Sequence, residues 1–130
     1  MDKEFDSTVE DQVVIVFYSF TGQTRRFIEK VKAISSVECI ELTKDLKIDS
    51  RFILLTSTIG FGQVPQPVTT FLENNHKNMI AVMSNGNKNW GENFAKAGDI
   101  ISNHYRVPLI AKYELAGTEQ DVQTLIKYMR

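Results

Sequence analysis

Five short runs of β-branched, aromatic and other apolar residues alternate with four amphipathic helical patterns, and this alternation constrains the fold more than any other feature of the chain. Val13-Val14-Ile15-Val16-Phe17-Tyr18 is apolar almost throughout, as expected of a strand buried on both faces. Residues 52–55 and 79–83 have the same character. Residues 37–42 carry two glutamates, and residues 109–114 alternate, with Pro108 at their start, where an edge strand tolerates proline. Between these runs, Phe27, Ile28, Val31 and Ile34 mark one face of a helix. Val68, Phe71 and Leu72 predict a short helix with Pro67 in its first turn. Phe94, Ala97 and Ile101 predict a third. Val122, Leu125, Ile126 and Met129 predict a fourth, opened by Thr118-Glu119-Gln120-Asp121 with capping-box spacing. Strands alternating with helices imply an α/β fold, a parallel sheet with helices on both faces. Placing the three apolar strands centrally and the two charged ones at the edges selects a doubly wound, five-stranded order of 2-1-3-4-5.

The 130 residues suit one domain and can bury a core without disulfides or metals. Residues 1–12 hold Asp2, Glu4, Asp6, Glu10 and Asp11 against Lys3 alone and read as an acidic N-terminal extension; residues 13–130 read as the single domain. Cys39 is the only cysteine, which fits a reducing compartment. The acidic start does not resemble a signal peptide, and no apolar run reaches the roughly 18 residues of a membrane span. The expected location is the cytoplasm. A net charge of −1 with one basic pair, Arg25-Arg26, argues against nucleic-acid binding. A near-neutral body argues equally against an acidic carrier steered to many partners.

In a sheet of this order, ligands bind beyond the carboxyl ends of the strands near the switch point between the first and third. Three loops are placed there. Ser19-Phe20-Thr21-Gly22-Gln23-Thr24 offers hydroxyls and a glycine turn leading into a helix, so that backbone N–H groups can converge on an anion. The same residues would also make a plain hydroxyl-capped helix start. The second loop, residues 56–67, contains Thr56, Ser57, Thr58, Gly60, Phe61 and Gly62 and no charge at all. A solvent loop of that length would usually carry charge, and uncharged loops near a switch point suit a flat ligand. The third, residues 84–91, holds Asn85, Gly86, Asn89, Trp90 and Gly91. Trp90 is either a loop anchor or a stacking wall for a planar ring. Together the three loops describe a site for a planar, phosphorylated ligand.

Ser19-Phe20-Thr21-Gly22-Gln23-Thr24 resembles the flavodoxin phosphate-loop pattern [ST]-x-T-G-x-T. A fuller resemblance is to the NrdI family, the small flavodoxin-like proteins of class Ib ribonucleotide reductase systems. It is carried by Thr21-Gly22 leading into Arg25-Arg26-Phe27-Ile28, by Gly60-Phe61-Gly62-Gln63-Val64-Pro65 and by Asn85-Gly86-Asn87-Lys88-Asn89-Trp90-Gly91. Glu114-Leu115-Ala116-Gly117-Thr118 is similar to the family as well. The resemblance implies bound FMN, its phosphate on residues 19–24 and its ring between the loops holding Phe61 and Trp90. It implies a reduced flavin that reacts with O2 and supplies a superoxide-type oxidant to the radical-bearing reductase subunit. There the oxidant serves assembly of a dimanganese–tyrosyl radical cofactor, the metal belonging to the partner. A flavin-reducing electron donor is implied too. The alternative is a general flavodoxin carrying electrons between several redox enzymes. Loops 56–67 and 84–91 contain no Asp or Glu, so a second electron is expected to enter the flavin more easily than in an acidic flavodoxin.

Other classes fit less well. A receiver-type signalling domain needs acidic residues where this chain has Phe17-Tyr18-Ser19. A cysteine phosphatase needs a Cys–Arg pair bracketing a five-residue loop, which Cys39 lacks. His76, His104 and Cys39 fall on separate elements and make no metal site.

Overall fold

The computed structural model describes residues 12–129. The acidic stretch read as an extension lies outside them apart from Gln12. The elements are β1 (Val13–Tyr18), α1 (Gln23–Ile34), β2 (Cys39–Glu41), β3 (Arg51–Ser57), α2 (Gln66–Asn75), β4 (Met79–Gly86), α3 (Lys96–Tyr105), β5 (Leu109–Glu114) and α4 (Glu119–Met129). Two 3-10 turns, His76–Asn78 and Lys88–Asn93, precede β4 and α3. All pairings are parallel and the order is β2-β1-β3-β4-β5, the flavodoxin-like order expected from the edge charges.

Alternation within the central strands fills two cores. Ile15, Phe17, Ile53, Leu55, Ala81 and Met83 face α1 and α4, where Phe27, Val31, Val122 and Leu125 complete one layer. Val14, Val16, Phe52, Leu54 and Val82 face α2 and α3, meeting Val68, Phe71 and Ile101. Each fully buried aliphatic or aromatic side chain here contributes roughly 1.5–3 kcal/mol relative to exposure. On the second face, Asn75 is buried yet satisfied: its Oδ1 accepts from Ile48 N at 2.8 Å and its Nδ2 donates to Leu46 and Phe71 carbonyls. That amide ties the 43–50 loop to α2.

Three boundaries differ from the sequence reading. The second strand is only Cys39–Glu41, because the edge has one partner and its flanks make too few ladder bonds. Ile34 ends the α1 stripe half exposed. Phe94 lies ahead of α3, which begins at Lys96 after Ala95 adopts a left-handed conformation with φ 50°. The last helix is capped as expected: Thr118 Oγ1 accepts from Asp121 N, and Asp121 Oδ2 accepts from Thr118 N at 2.8 Å.

Candidate functional site

The carboxyl ends of β1, β3, β4 and β5 open onto one cleft of ≈ 190 Å³. Phe20, Thr21, Gln23, Ser57, Thr58, Gly60, Asn85, Gly86 and Trp90 line it, so all three loops singled out in the sequence meet there. Asn87, Asn93, Ala95 and Leu115 line it too and were not among the candidates. The resemblance to the NrdI family had touched Asn87 and Leu115 without giving either a role. Ala95 and Asn93 carry no local signal; folding brings them in through the turn before α3.

The phosphate-type loop is shaped by its own side chains. Ser19 Oγ accepts from Gly22 N at 3.0 Å and Arg25 N at 3.2 Å, closing the turn. Gly22 sits at φ 95°, a conformation glycine reaches without a Cβ penalty. Gly22 offers helix α1 no side-chain cap of its own, and among the described residues the N–H groups of Thr21 and Gln23, which line the cleft, have no hydrogen-bond partner. Two free donors at a helix N-terminus fit a phosphate. Ser19 thus serves the loop through its hydroxyl rather than lining the cleft. Arg25 is drawn aside into an ion pair with Glu41 on β2.

Thr24 is fully buried and does not line the cleft, its hydroxyl being turned inward. Its Oγ1 lies 3.1 Å from Ser57 Oγ and donates to Asn85 Oδ1 at 3.3 Å. Thr56 is also buried and spends its hydroxyl on the Ser57 carbonyl. Tyr113 packs beneath this group, its ring stacked on Phe27 at 4.2 Å. Burial pushes the Tyr113 phenol far above its ordinary value; nearby Thr24 opposes the rise more weakly, yet no aligned hydrogen bond satisfies the phenol oxygen.

The second loop is a tight antiparallel turn. Ile59 N donates to Gln63 O at 3.0 Å, and Gln63 N to Ile59 O at 2.7 Å, pinning both ends. Gly60 at φ 53° and Gly62 at φ 95° hold Phe61 out at 76% exposure. Gly62 sits against Asn93 and Lys96 rather than in the cleft. In the third loop Asn87 Oδ1 accepts from Asn89 N and starts the turn that carries Trp90, with Asn89 and Gly91 exposed beyond it. Phe61 and Trp90 touch edge to face, centroids 5.3 Å apart. The two loops expected to flank the ring are thus in mutual contact.

Polar side chains hold Ala95 and the start of α3. Ser84 Oγ donates to the Ala95 carbonyl at 2.6 Å, and Thr58 Oγ1 accepts from Ala97 N at 3.2 Å. A Cβ on Gly86 would lie 2.7 Å from Ala95 N, so glycine is what allows this approach.

The electrostatics need one correction. Loops 56–67 and 84–91 are free of carboxylates, but β5 pairs with β4 in a register that sets Glu114 opposite Gly86. Glu114 Oε2 then accepts from Lys88 N at 3.3 Å. The cleft rim therefore carries a carboxylate that no loop sequence reveals.

The family described as "NrdI Flavodoxin like" matches residues 15–127. The chain belongs to the NrdI flavodoxin-like family. It is 45% identical over 111 residues to Protein NrdI of Macrococcus caseolyticus (strain JCSC5402), covering 85% of this chain and 84% of that protein. Among solved structures, oxidised Flavodoxin 1 of Bacillus cereus superposes with a TM-score of 0.63 at 17% identity, covering 90% of this chain and 93% of the flavodoxin. Flavodoxin 2 of Bacillus cereus gives 0.64 at 21% identity, covering 91% and 94%. These likenesses show the flavodoxin fold. FMN is the cofactor of such a family, and the free amides of residues 21 and 23 fit its phosphate. No described helix is long and apolar enough to cross a membrane.

Proposed function

We propose that this chain is the FMN-bearing redox accessory of a class Ib ribonucleotide reductase, working on its radical-bearing subunit. The observation that carries the reading is the convergence of the family's three loops on one cleft beside the N-terminus of α1. The amides of Thr21 and Gln23 hold the phosphate. Phe20, Trp90 and Leu115 give the ring apolar surface, while Asn85 and Asn87 offer polar groups to its edge. When bound and reduced by an electron donor, FMN supplies single electrons to O2, and the superoxide formed is the oxidant for the partner's dimanganese–tyrosyl radical cofactor. The manganese is the partner's. Residues 13–130 form the working domain, in the cytoplasm.

The test is anaerobic reduction of the FMN-loaded protein, then oxygenation with the manganese-loaded radical subunit under electron paramagnetic resonance. Tyrosyl radical is the expected result. Absence of radical, with superoxide generated separately restoring it, would overturn the reading in favour of a general electron carrier.

A further inference from the structure

Helices α1 and α4 lie side by side over one face of the sheet, and the seam between them is open to the outside. Its upper part, ≈ 340 Å³, is lined by Lys30, Ala33 and Ile34 of α1 and by Glu119 and Val122 of α4. Its lower part, ≈ 370 Å³, lies among Val13, Ile34, Val37, Ile126 and Met129 and, among the described residues, has no charged side chain in its lining. Ile34 borders both parts, so they form one furrow. It is 50% exposed, whereas Phe27, Ile28 and Val31 of the same stripe are buried. The furrow shares no lining residue with the cleft.

The described chain begins in the wall of this furrow, at Gln12 and Val13. Eleven residues precede Gln12, which extended span at most about 36 Å. The furrow follows α4 from Met129 up to Glu119, about 15 Å at the helical rise, so these residues can reach all of it. Their apolar members are Met1, Phe5 and Val9, each four positions from the next, and every other side chain among them is polar. Asp2, Glu4, Asp6, Glu10 and Asp11 stand against Lys3. The furrow offers a matching cation in Lys30. Its ammonium donates to the Gly117 carbonyl at 2.7 Å and the Ala116 carbonyl at 3.3 Å, in the turn after Leu115, whose backbone is left-handed at φ 53°. An ammonium has three donors, so one is left for a carboxylate. Glu119, on the opposite wall, sits in the first turn of α4, where the positive end of the helix offsets its charge.

We propose that residues 1–11 dock back onto their own domain in the α1–α4 furrow, Val9 in the uncharged lower part, Phe5 in the upper part, and a neighbouring carboxylate on Lys30. Val9 is three residues from Gln12, about 10 Å of reach, which brings it to Ile34 and Met129. Phe5, four residues earlier, then falls level with Ala33 and Val122. The docked segment covers Ile34 and closes an apolar face that a second copy would otherwise find open. This docking is independent of the flavin reading.

Paramagnetic relaxation in the full chain, with FMN in the buffer, is the test. A nitroxide is attached at Ser7→Cys, between the two anchors, and Cys39→Ser removes the natural thiol. Cys39→Ala takes its place if circular dichroism shows that chain unfolded. The methyl resonances of Ile34, Val122 and Ile126 are expected to lose most of their intensity, while those of Leu72 and Ile100, on the α2–α3 face, keep theirs. Adding Phe5→Asp and Val9→Asp is expected to return the lost intensity. Lys30→Met is expected to return part of it, and an unchanged attenuation there would overturn the carboxylate contact. Attenuation equal on the two faces, or surviving Phe5→Asp with Val9→Asp, overturns the docking. So does attenuation in a mixture of spin-labelled chain with isotope-labelled chain that carries no nitroxide, because the occupant would then be a second copy.

Discussion

Replacing Tyr113 by Phe should stabilise the fold, and the structure sets the size of the effect. The side chain is buried, stacks on Phe27 with 23° between the ring planes, and has a hydroxyl with no hydrogen-bond partner. Phenylalanine keeps the stack and removes the orphan. An unsatisfied buried hydroxyl costs about 1–3 kcal/mol. The space it vacates forfeits some dispersion contacts, so the expected net gain is about 0.5–2 kcal/mol. Urea unfolding followed by circular dichroism should show a higher midpoint with an unchanged slope, because the surface exposed on unfolding is the same. Heating should show a rise of roughly 3–5 °C per kcal/mol for a chain of this length.

The pH dependence gives an independent check. Burial raises the folded-state value of the Tyr113 phenol, whereas the unfolded phenol ionises near pH 10. Below that pH both states hold the proton and the phenol's contribution to stability is fully present. Above it the unfolded chain binds fewer protons than the folded one, so stability is lost as pH rises, by about 1.4 kcal/mol per pH unit. Tyr113→Phe has no such loss, and its advantage should widen above pH 10. The other tyrosines are common to both proteins and cancel. A Tyr113→Phe variant less stable by about 1 kcal/mol at neutral pH would mean that the hydroxyl is bonded in solution, and would refute the reasoning.

Two further expectations follow from the site. Gly117→Ala should destabilise more than Gly60→Ala in urea unfolding. Both glycines have positive φ, but a Cβ at 117 would lie 2.6 Å from the buried Phe27 ring, whereas at 60 it meets only the movable end of Gln63. The torsional part alone is about 1–2 kcal/mol at each position. Glu114→Gln should raise the potential for the second electron, measured by anaerobic redox titration, by less than about 1 kcal/mol because the group is exposed and screened. An unchanged or lowered potential would remove Glu114 from the flavin's electrostatic surroundings.

What could be read from the sequence depended on how local its cause is. Val13–Tyr18 and residues 52–55 read as central strands because burial on two faces leaves no room for a polar position, and those strands are central. The charges of Glu38, Glu41, Lys112 and Glu114 marked the edges for the same reason, and the strand order follows from them. The phosphate loop was legible because Ser19 and Gly22 close it within a few residues. Thr24 was not legible in the same sense. The motif assigns its hydroxyl no direction, and only the proximity of β3 and β4 turns it toward Ser57 and Asn85.

The charge around the cleft meets the same boundary. A loop's sequence counts the carboxylates it contains, whereas a flavin responds to all those that packing brings near. Glu114 is 26 residues from Lys88 along the chain and reaches its N–H because parallel pairing of β4 and β5 ends both strands at the same level. Parallel sheets gather the ends of sequence-distant strands at one edge, which is why ligands bind there. The same geometry delivers Leu115 one residue later, locked between Gly86 and Asn85. The β5 end therefore contributes both the rim charge and the strained apolar contact. A variant that moves it should shift redox potential and ring affinity together, whereas Glu114→Gln alone should shift only the potential.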